Sequence, residues 1–324
     1  MITAGVDILE NDIIERYPGV IDILLQDRTT QRNIFWATDN YKELGREYSY
    51  LSEITSQAIT GVNGHIIMPR IKKARLVQKV RARNMAEVYT PSWLCNVQNN
   101  LIDNAWFERD NIFNKEIISF DGTRSWIINR GKVIFPKNKS WKSYIADKRL
   151  EVACGEAPYI VSRYDSTTGE FISLDNRIGI LDRKLRIINE NVNTTSKWLD
   201  AAQTAYKSTY AYEWQGDSLL LAREAMLITF IENYFFKFGK QPVLRSIKNI
   251  ANIISWNIWQ MDGMKGVIPN SCGIITKAQF TLFGETRSTT SCEGCIKDDI
   301  SKHNGIYVLI KDWSVYRQHK VDKI

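Results

Sequence analysis

The sequence predicts an α/β fold with a parallel sheet at its centre, and three observations predict it. Residues 145–260 alternate strand-like and helix-like stretches, which is the pattern of a sheet covered by helices. A short apolar strand at Leu150 runs into a tight Ala153-Cys154-Gly155 turn, which would open a helix. A second strand-like stretch, residues 209–214, leads into Gly216-Asp217. We therefore expect backbone N–H groups and an acidic side chain at the carboxyl edge of one sheet, where α/β proteins bind ligands.

The size and composition are those of a globular chain. Its 324 residues suffice for one large or two modest domains, with 44% apolar and 24% charged residues. No apolar run approaches the about 20 residues of a membrane span, and the N-terminus has no signal-peptide pattern. Five cysteines do not make a disulfide scaffold in a chain of this length, so we expect a cytoplasmic protein without membrane contact. The net charge of +7 favours a polyanionic partner.

Changes in composition divide the chain into three predicted regions, 1–85, 86–268 and 269–324. The first is helical and basic, with helices expected over residues 7–16 and 41–54. The second is the α/β region, and the third is a small module that contains cysteine and histidine.

The N-terminal region ends in a strongly basic stretch, in which seven of the fourteen residues 70–83 are basic and none is acidic. Apolar residues three apart predict a narrow buried stripe on this helix, formed by Ile71, Ala74, Val77 and Val80. The cations form either a solvated helix face or a surface that contacts phosphates. They are Arg70, Lys72, Lys73, Arg75, Lys79, Arg81 and Arg83.

The α/β region has further predicted elements in order. Residues 178–181 read as a short apolar strand that ends at Asp182. Residues 196–207 and 219–238 read as amphipathic helices, and residues 251–255 read as another buried strand. The predicted strands would each deliver a polar residue to the same edge of the sheet.

With these segments placed, the chain resembles the DNA amino-methyltransferases that modify adenine. More narrowly, it is similar to the bacterial modification proteins called restriction endonuclease subunit M, over most of the chain from about Asp27 to Trp313. The resemblance implies a Rossmann-like core over residues 86–268 that binds S-adenosylmethionine. It also implies transfer of a methyl group to the exocyclic amine of adenine in double-stranded DNA, with a restriction or specificity subunit as a partner.

The resemblance assigns donor-binding residues to short segments. Tyr89-Thr90-Pro91 stands where the family has Tyr-Thr-Pro or Phe-Thr-Pro. Val152-Ala153-Cys154-Gly155-Glu156-Ala157 stands where the family has Pro-Ala-Cys-Gly-x-Gly, with Ala157 in place of the second glycine. By the same resemblance, Asp182 would hold the ribose hydroxyls of the donor and Asp217 its adenine.

The chemistry of these residues suits a donor with hydroxyls and amines. The carboxylates of Glu151, Asp182 and Asp217 can accept hydrogen bonds, and the backbone at Gly155 allows a ligand to approach closely. Asp182 and Asp217 could equally cap the helices that follow strands, because aspartate is a favoured N-cap residue.

The target-base motif departs from the family pattern of Asn-Pro-Pro-Tyr, because this chain has Asn257-Ile258-Trp259-Gln260 without either proline. The resemblance implies that Asn257 presents the target amine and that Trp259 stacks on the flipped base. Catalysis would then depend on orientation and electrostatics, so that none of the three histidines needs a catalytic role. A derivative that binds DNA without catalysis fits the same departure.

The C-terminal module contains a metal-site pattern. Cys272, Cys292, Cys295 and His303 are spaced C-x19-C-x2-C-x7-H, and a Cys-x2-Cys pair in a polar turn suits structural zinc. The alternative is three reduced surface cysteines and a loop histidine. With zinc, the module would be stable enough to help read DNA.

Two other functional classes stay open. Asp165 or Asp175 with Asp182-Arg183-Lys184 imitates the acid and acid-x-lysine pattern of magnesium-dependent nucleases. A DNA-binding module without enzymatic activity would use residues 70–83 and the cysteine cluster. A methyltransferase predicts donor binding without DNA, a nuclease predicts magnesium dependence, and a DNA-binding module predicts neither.

Overall fold

The computed structural model describes residues 6–85, 87–281, 284–314 and 317–320, and it shows a mixed α/β protein. The helices are α1 (Glu10–Arg16), α2 (Val20–Leu25), α3 (Ser56–Ile59), α4 (Arg75–Met85), α5 (Ser92–Phe107), α6 (Trp141–Ala146), α7 (Ile180–Asn191), α8 (Thr195–Lys207), α9 (Gly216–Phe238), α10 (Leu244–Asn257) and α11 (Glu293–Lys297). The strands are β1 (Asn114–Ile118), β2 (Arg124–Ile128), β3 (Arg149–Glu151), β4 (Thr209–Glu213), β5 (Ile258–Gln260), β6 (Ile275–Thr281), β7 (Gly284–Thr290), β8 (Leu309–Asp312) and β9 (Arg317–Lys320). None of these helices is long and apolar enough to cross a bilayer.

A three-stranded parallel sheet lies at the centre, in the order β3-β4-β5. Parallel neighbours need long crossover connections. Helices α7 and α8 provide the first crossover, and α9 and α10 provide the second. The expected strand over residues 209–214 is confirmed as β4, whose central Ala211 is fully buried.

Helix α9 is the centre of the hydrophobic core. Every residue from its first, Gly216, to Ile231 is buried, so the helix is covered on all sides and is not amphipathic as expected. Helices α1 and α2 contribute Ile13 and Leu24 to the same core, which continues to Ile258 in β5. The N-terminal helices and the parallel sheet therefore share one core.

Two predicted strands do not form strands in the structure. Residues 178–181 lead into α7, where the Asp182 carboxylate accepts the Gly179 N–H and caps the helix. Residues 251–255 lie inside α10, whose buried Ile247, Ile250, Ala251 and Ile254 recur at helical spacing. A short apolar run fits a buried strand and a buried helix equally, so the sequence of either run alone does not decide between them.

The prediction of a helix over residues 41–54 is also wrong. The chain forms two short 3-10 turns there, Lys42–Leu44 and Arg46–Tyr48, separated by Gly45. Gly45 has a φ of 143°, which no helix accommodates. The aromatic residues of the expected helix still contribute to packing, because Tyr41 and Tyr48 both pack on Trp36.

Three antiparallel hairpins surround this body: β1–β2, β6–β7 and β8–β9. The β6–β7 hairpin lies between the first cysteine of the metal-site pattern and the other two. The polypeptide ends of that hairpin are therefore next to the residues that could bind a metal.

Candidate ligand site and candidate metal centre

Segments that are distant in sequence meet at the carboxyl edge of the parallel sheet. The N–H of Gly155 donates to the carboxylate of Glu213, the last residue of β4, at 2.8 Å. A Cβ at Gly155 would lie 3.5 Å from the Tyr89 ring, so that ring packs directly on the turn. Asp217 follows in the first turn of α9. The structure thus brings together Tyr89, Gly155 and Asp217, three of the residues assigned to the donor.

The Ala-Cys-Gly turn has an unusual backbone. Ala153, Gly155 and Ala157 all lie in the left-handed region, with φ of 49°, 54° and 59°. This conformation costs about 1–2 kcal/mol at each alanine and persists only where the surroundings hold it. The Glu151 carboxylate holds the far end of the turn by accepting two backbone N–H groups. The turn does not open a helix as expected, because the next α-helix begins only at Ile180.

Asp217 is fully buried and is held by cations of its own chain. Its carboxylate accepts a 2.7 Å hydrogen bond from the Tyr41 hydroxyl and forms ion pairs with Arg81 at 2.8 Å and Lys73 at 3.5 Å. Burial alone would raise the pKa of Asp217, but Arg81 and Lys73 outweigh burial and hold it well below its ordinary value. The carboxylate is therefore ionised and accepts from nitrogen donors.

Two cations of this segment face inward, Arg81 on helix α4 and Lys73 just before it. Lys73 and Arg81 are 8% and 1% exposed, whereas Val77 and Val80 of the expected buried stripe are 43% and 45% exposed. The ion pairs with Asp217 outweigh the burial of that weak apolar stripe. Four of the seven predicted phosphate-contacting cations remain exposed on this segment: Lys72, Arg75, Lys79 and Arg83.

The chain on both sides of α4 is fastened to the glycine turn. The backbone N–H of Arg70 donates to the Glu156 carboxylate at 2.6 Å, and its guanidinium lies 5.3 Å from the centre of the Tyr89 ring. Glu87 forms a buried ion pair with Arg81. Residues 70–85 and 87–89, which we call the basic flap, thus cover the carboxyl edge of the sheet.

Several buried polar atoms around this edge have no hydrogen-bond partner among the described residues. They include the Tyr89 hydroxyl, the Ser218 hydroxyl and the side-chain oxygen of Gln215, together with Arg70 Nε and one carboxylate oxygen of Glu87 in the basic flap. The Tyr89 hydroxyl lies close enough to the Ser218 hydroxyl and to the Glu156 carboxylate to interact with both, but neither contact has the geometry of a hydrogen bond. Buried polar groups without a partner are rare in proteins, and they often mark a bound ligand or water.

The remaining donor residues are placed around this edge or away from it. Pro91 is the N-cap of α5, and the Thr90 carbonyl accepts the Ser166 hydroxyl at 3.0 Å, so both fix the segment that carries Tyr89. Cys154 is buried, and burial holds the pKa of its thiol well above the ordinary value. Asp182 lies on α7 and accepts the N–H and hydroxyl of Ser162, so it caps a helix and does not follow a strand.

Asn257 and Trp259 are used for packing in this structure. Asn257 is the last residue of α10, and its amide nitrogen donates to three backbone carbonyls near the start of β4. Its side-chain oxygen accepts the Trp313 indole N–H at 2.9 Å. Trp259 lies in β5 and stacks on Tyr210 at 5.6 Å. The expectation that Asn257 presents a target amine is incompatible with these hydrogen bonds.

The nuclease pattern is not assembled. The Asp165 carboxylate accepts the N–H groups of Ser92 and Thr167, and Asp182 caps α7. The Lys184 ammonium is buried and donates to the Asp147 carbonyl and the Ser208 hydroxyl, and burial lowers its pKa to about 7. Among the described residues, no cluster of acidic groups has the spacing of metal ligands.

Two acidic residues at the strand ends were missed by sequence reasoning. Glu213 ends β4 and accepts the N–H groups of Gly155 and Gln215. Asp262 follows β5 by two residues and is 7% exposed. The alternating pattern of residues 209–213 could have identified Glu213 as the acid at the strand end. The Gly-Asp pair that follows it predicted Asp217, and not Glu213, as the acidic residue of this edge.

The four residues of the C-terminal pattern form a compact cluster that could bind a structural metal. The Cys272 sulfur lies 3.2 Å from that of Cys292 and 3.4 Å from that of Cys295. The Nδ1 atom of His303 lies 3.3, 3.5 and 3.6 Å from the three sulfur atoms. A tetrahedral metal with bonds of about 2.0–2.3 Å separates its ligands by about 3.3–3.8 Å, so the cluster has the size of one tetrahedral site.

Local structure supports this cluster. Cys292 is the N-cap of α11 and Cys295 lies on that helix, while the N–H of His303 donates to the Tyr307 hydroxyl at 2.7 Å. A Cβ at Gly294 would lie 2.6 Å from the His303 backbone nitrogen, so glycine is required for this close approach. Burial would raise the pKa of the Cys292 thiol, but hydrogen bonds, led by the one from the Asn304 N–H, lower it to about 6.

Comparisons with protein-family models, with curated proteins and with solved structures found no match for this chain. Its function must therefore be inferred from its own residues.

Proposed function

We propose that this chain is an S-adenosylmethionine-dependent DNA methyltransferase that modifies the exocyclic amine of adenine in a restriction-modification context. One observation carries the proposal. A strained glycine turn, the end of a parallel strand and the start of a helix converge at one sheet edge, where Tyr89, Gln215 and Ser218 have buried polar atoms without partners. The order β3-β4-β5 is consistent with one half of a Rossmann-like sheet.

The residues at this edge fit the chemistry of the donor, which supplies an activated methyl group when bound. Gly155 leaves room for close approach to the backbone, and Tyr89 packs against the same turn. Glu213 is better suited than Asp182 to hold ribose hydroxyls, because an acid at the end of the second strand has that role in dinucleotide sites. Asp217 accepts nitrogen donors, as an adenine amine requires.

The basic flap must move for this site to function. Asp217 is already satisfied by Arg81, Lys73 and Tyr41, so a ligand amine would have to replace one of them. Asn257, the residue expected to present the target base, donates to backbone carbonyls, so it would have to give up these hydrogen bonds to take that role. The four outward cations of the flap provide a surface for double-stranded DNA.

Calorimetric titration of S-adenosylmethionine tests the proposal. We expect micromolar binding to the wild-type protein, and at least tenfold weaker binding to the Glu213→Gln variant. The Asp182→Asn variant is the matched control, because it makes the same chemical change away from the sheet edge and should bind as the wild type does. Incubation with DNA should then yield N6-methyladenine by mass spectrometry of the nucleosides.

Two results would overturn the proposal. Absence of donor binding both with and without DNA would favour a DNA-binding protein without this enzymatic activity. Loss of binding in Asp182→Asn but not in Glu213→Gln would place the donor away from the carboxyl edge. A restriction or specificity subunit remains the expected partner, and co-purification from the native host would identify it.

For the C-terminal module we propose zinc as the metal. Three thiolates and one imidazole form a soft donor set, and the ligand spacing is that of a closed tetrahedral site. Cys272 precedes β6, and Cys292 follows β7. Zinc would therefore hold together both ends of the β6–β7 hairpin and act as a structural ion.

A further inference from the structure

A cleft of about 560 Å³ lies at the amino edge of the parallel sheet, opposite the candidate donor site. Its walls come from the end of α8, the start of β4 and strand β8, and they include Lys207, Tyr210, Lys311 and Trp313. Lys148, just before β3, adds another exposed cation. The cleft thus combines cations with aromatic rings.

Two lysines of this cleft, and Arg28 outside its lining, lie on tryptophan rings. The Lys311 ammonium lies 4.4 Å from the centre of the Trp313 ring and 5.1 Å from that of Trp256. The Lys207 ammonium lies 5.2 Å from the Trp313 ring, and the Arg28 guanidinium lies 5.8 Å from the Trp256 ring. The Trp313 ring is itself fixed, because its N–H donates to Asn257. Two tryptophans therefore gather three cations at fixed positions.

Asp312 also lines the cleft, so its carboxylate offsets part of this positive charge. In the part of the chain that the structure describes, neither Lys207 nor Lys311 has a carboxylate within ion-pair distance. Asp147 pairs with Arg149, and Asp312 accepts both the N–H and the hydroxyl of Ser314. Burial lowers the pKa of Lys311, and the charges of Arg28 and Lys207 lower it further. The cations repel one another, and an anion would relieve that repulsion.

We propose that this cleft binds the phosphodiester backbone of DNA, with Lys207 and Lys311 contacting phosphates. The cleft is larger than one phosphate ion needs, and lysine ammonium groups held close together are the groups that neutralise DNA phosphates. The inference deepens the proposed function and rests on DNA being the partner. It adds a contact surface at the sheet edge opposite the basic flap.

Fluorescence anisotropy of a labelled DNA duplex, measured over a series of salt concentrations, tests the proposal. The Lys207→Gln/Lys311→Gln variant should bind at least tenfold more weakly than wild type. The slope of log affinity against log salt should also fall by about 2, since each lost phosphate contact removes about 0.9. The Lys207→Arg/Lys311→Arg variant keeps both charges, so it should keep the wild-type affinity and the wild-type salt slope.

The matched control is Lys197→Gln, which removes the same charge from an exposed position earlier on helix α8. An unchanged salt slope in the double variant, or a change no larger than that of the control, would overturn the proposal. Displacement of the duplex by inorganic phosphate at constant ionic strength would assign the cleft to a free phosphate ion and also overturn it. If the wild-type protein binds no duplex while donor binding persists, the DNA surface fails and the donor site stands.

Discussion

Arg81 and Asp217 form a buried ion pair of 2.8 Å that joins helix α4 to the first turn of α9. The Arg81 side chain is 1% exposed and that of Asp217 is 0% exposed, so neither charge is screened by water. A guanidinium donates N–H groups to the carboxylate in the way that a ligand amine would. The ion pair therefore closes the candidate donor site with a group of the protein itself, and it links the position of the basic flap to occupancy of that site.

The first prediction concerns this ion pair. In an Asp217→Asn variant, buried Lys73 loses its counter-charge and Arg81 keeps only that of Glu87, and losing one partner of a buried pair costs about 3–5 kcal/mol. We expect the amide hydrogens of α4 to exchange much faster in the variant, before those of α9 change. Hydrogen exchange read by mass spectrometry measures this. The control Asp200→Asn, at an exposed position, should leave the amide exchange of α4 unchanged. Equal exchange of α4 in both variants would contradict the prediction that Asp217 holds α4 in place.

The second prediction separates ligand binding from folding at Ser218. The buried hydroxyl has no hydrogen-bond partner among the described residues, so Ser218→Ala should leave the free energy of unfolding unchanged or raise it slightly. If the hydroxyl contacts the donor, the same change should weaken donor binding several-fold. Urea denaturation and calorimetric titration measure the two effects.

Ser162→Ala is the control for this experiment, because that hydroxyl accepts the Ile178 N–H at 2.7 Å and donates to Asp182. Its loss should destabilise the protein by about 1–3 kcal/mol. Full donor affinity in the stable Ser218→Ala variant would remove Ser218 from the donor site.

The sequence predicted the parts of this fold that depend on local pattern. Strand β4 alternates buried and half-buried residues as a strand should, and the Cys-x2-Cys spacing fits the first turns of α11. The helical identity of residues 251–255 was not predictable from the run itself. It depends on packing of Ile250 and Ile254 into the core formed with α9. Tertiary contacts decide such short apolar segments.

The candidate site, like the fold, was predictable only where a local sequence pattern marks it. The turn at Gly155 after β3 and the acid at Asp217 at the start of α9 were predicted from local sequence patterns, but the helix expected directly after the Gly155 turn is not there. The partners of Asp217 were not predictable, because the basic stretch that contains Arg81 and Lys73 is also consistent with a solvated helix. Only the folded chain shows that two of its seven cations face inward and that the apolar stripe faces outward.

The third prediction concerns the metal centre. The purified protein should contain one zinc ion per chain, and the Cys295→Ala variant should contain none, because three remaining ligands no longer close the site. Loss of zinc should make the β6–β7 hairpin the first site of proteolysis, since the metal would join its two ends. Metal analysis by mass spectrometry and limited trypsin digestion measure these effects.

Cys95→Ala is the control for the metal, because Cys95 is buried on α5 away from the cluster. It should retain one zinc ion. A Cys295→Ala variant that keeps its zinc, or a wild-type protein without zinc after growth in zinc-supplemented medium, would contradict the assignment.

The fourth prediction is a pH dependence of stability that arises at Glu10. Both carboxylate oxygens of this fully buried side chain lack a hydrogen-bond partner among the described residues. Burial raises the pKa of Glu10 to about 8, with a smaller contribution from Asp7. The folded state therefore keeps a proton that the unfolded state loses near pH 4.5. Stability is fully present below that pH and falls as the pH rises towards 8, by at most about 1.4 kcal/mol per pH unit.

The Glu10→Gln variant tests this cause directly, because glutamine keeps the shape of the protonated acid and cannot ionise. Urea denaturation at pH 5 and pH 8 should show a smaller loss of unfolding free energy in the variant than in the wild type. Glu15→Gln, an exposed position on the same helix, should follow the wild type at both pH values. Glu224 is also buried without a hydrogen-bond partner among the described residues, and its pKa is raised by burial and then by Glu10, so the variant should keep the part of the slope that Glu224 contributes. Parallel losses in wild type and Glu10→Gln would show that Glu10 does not keep its proton in the folded protein.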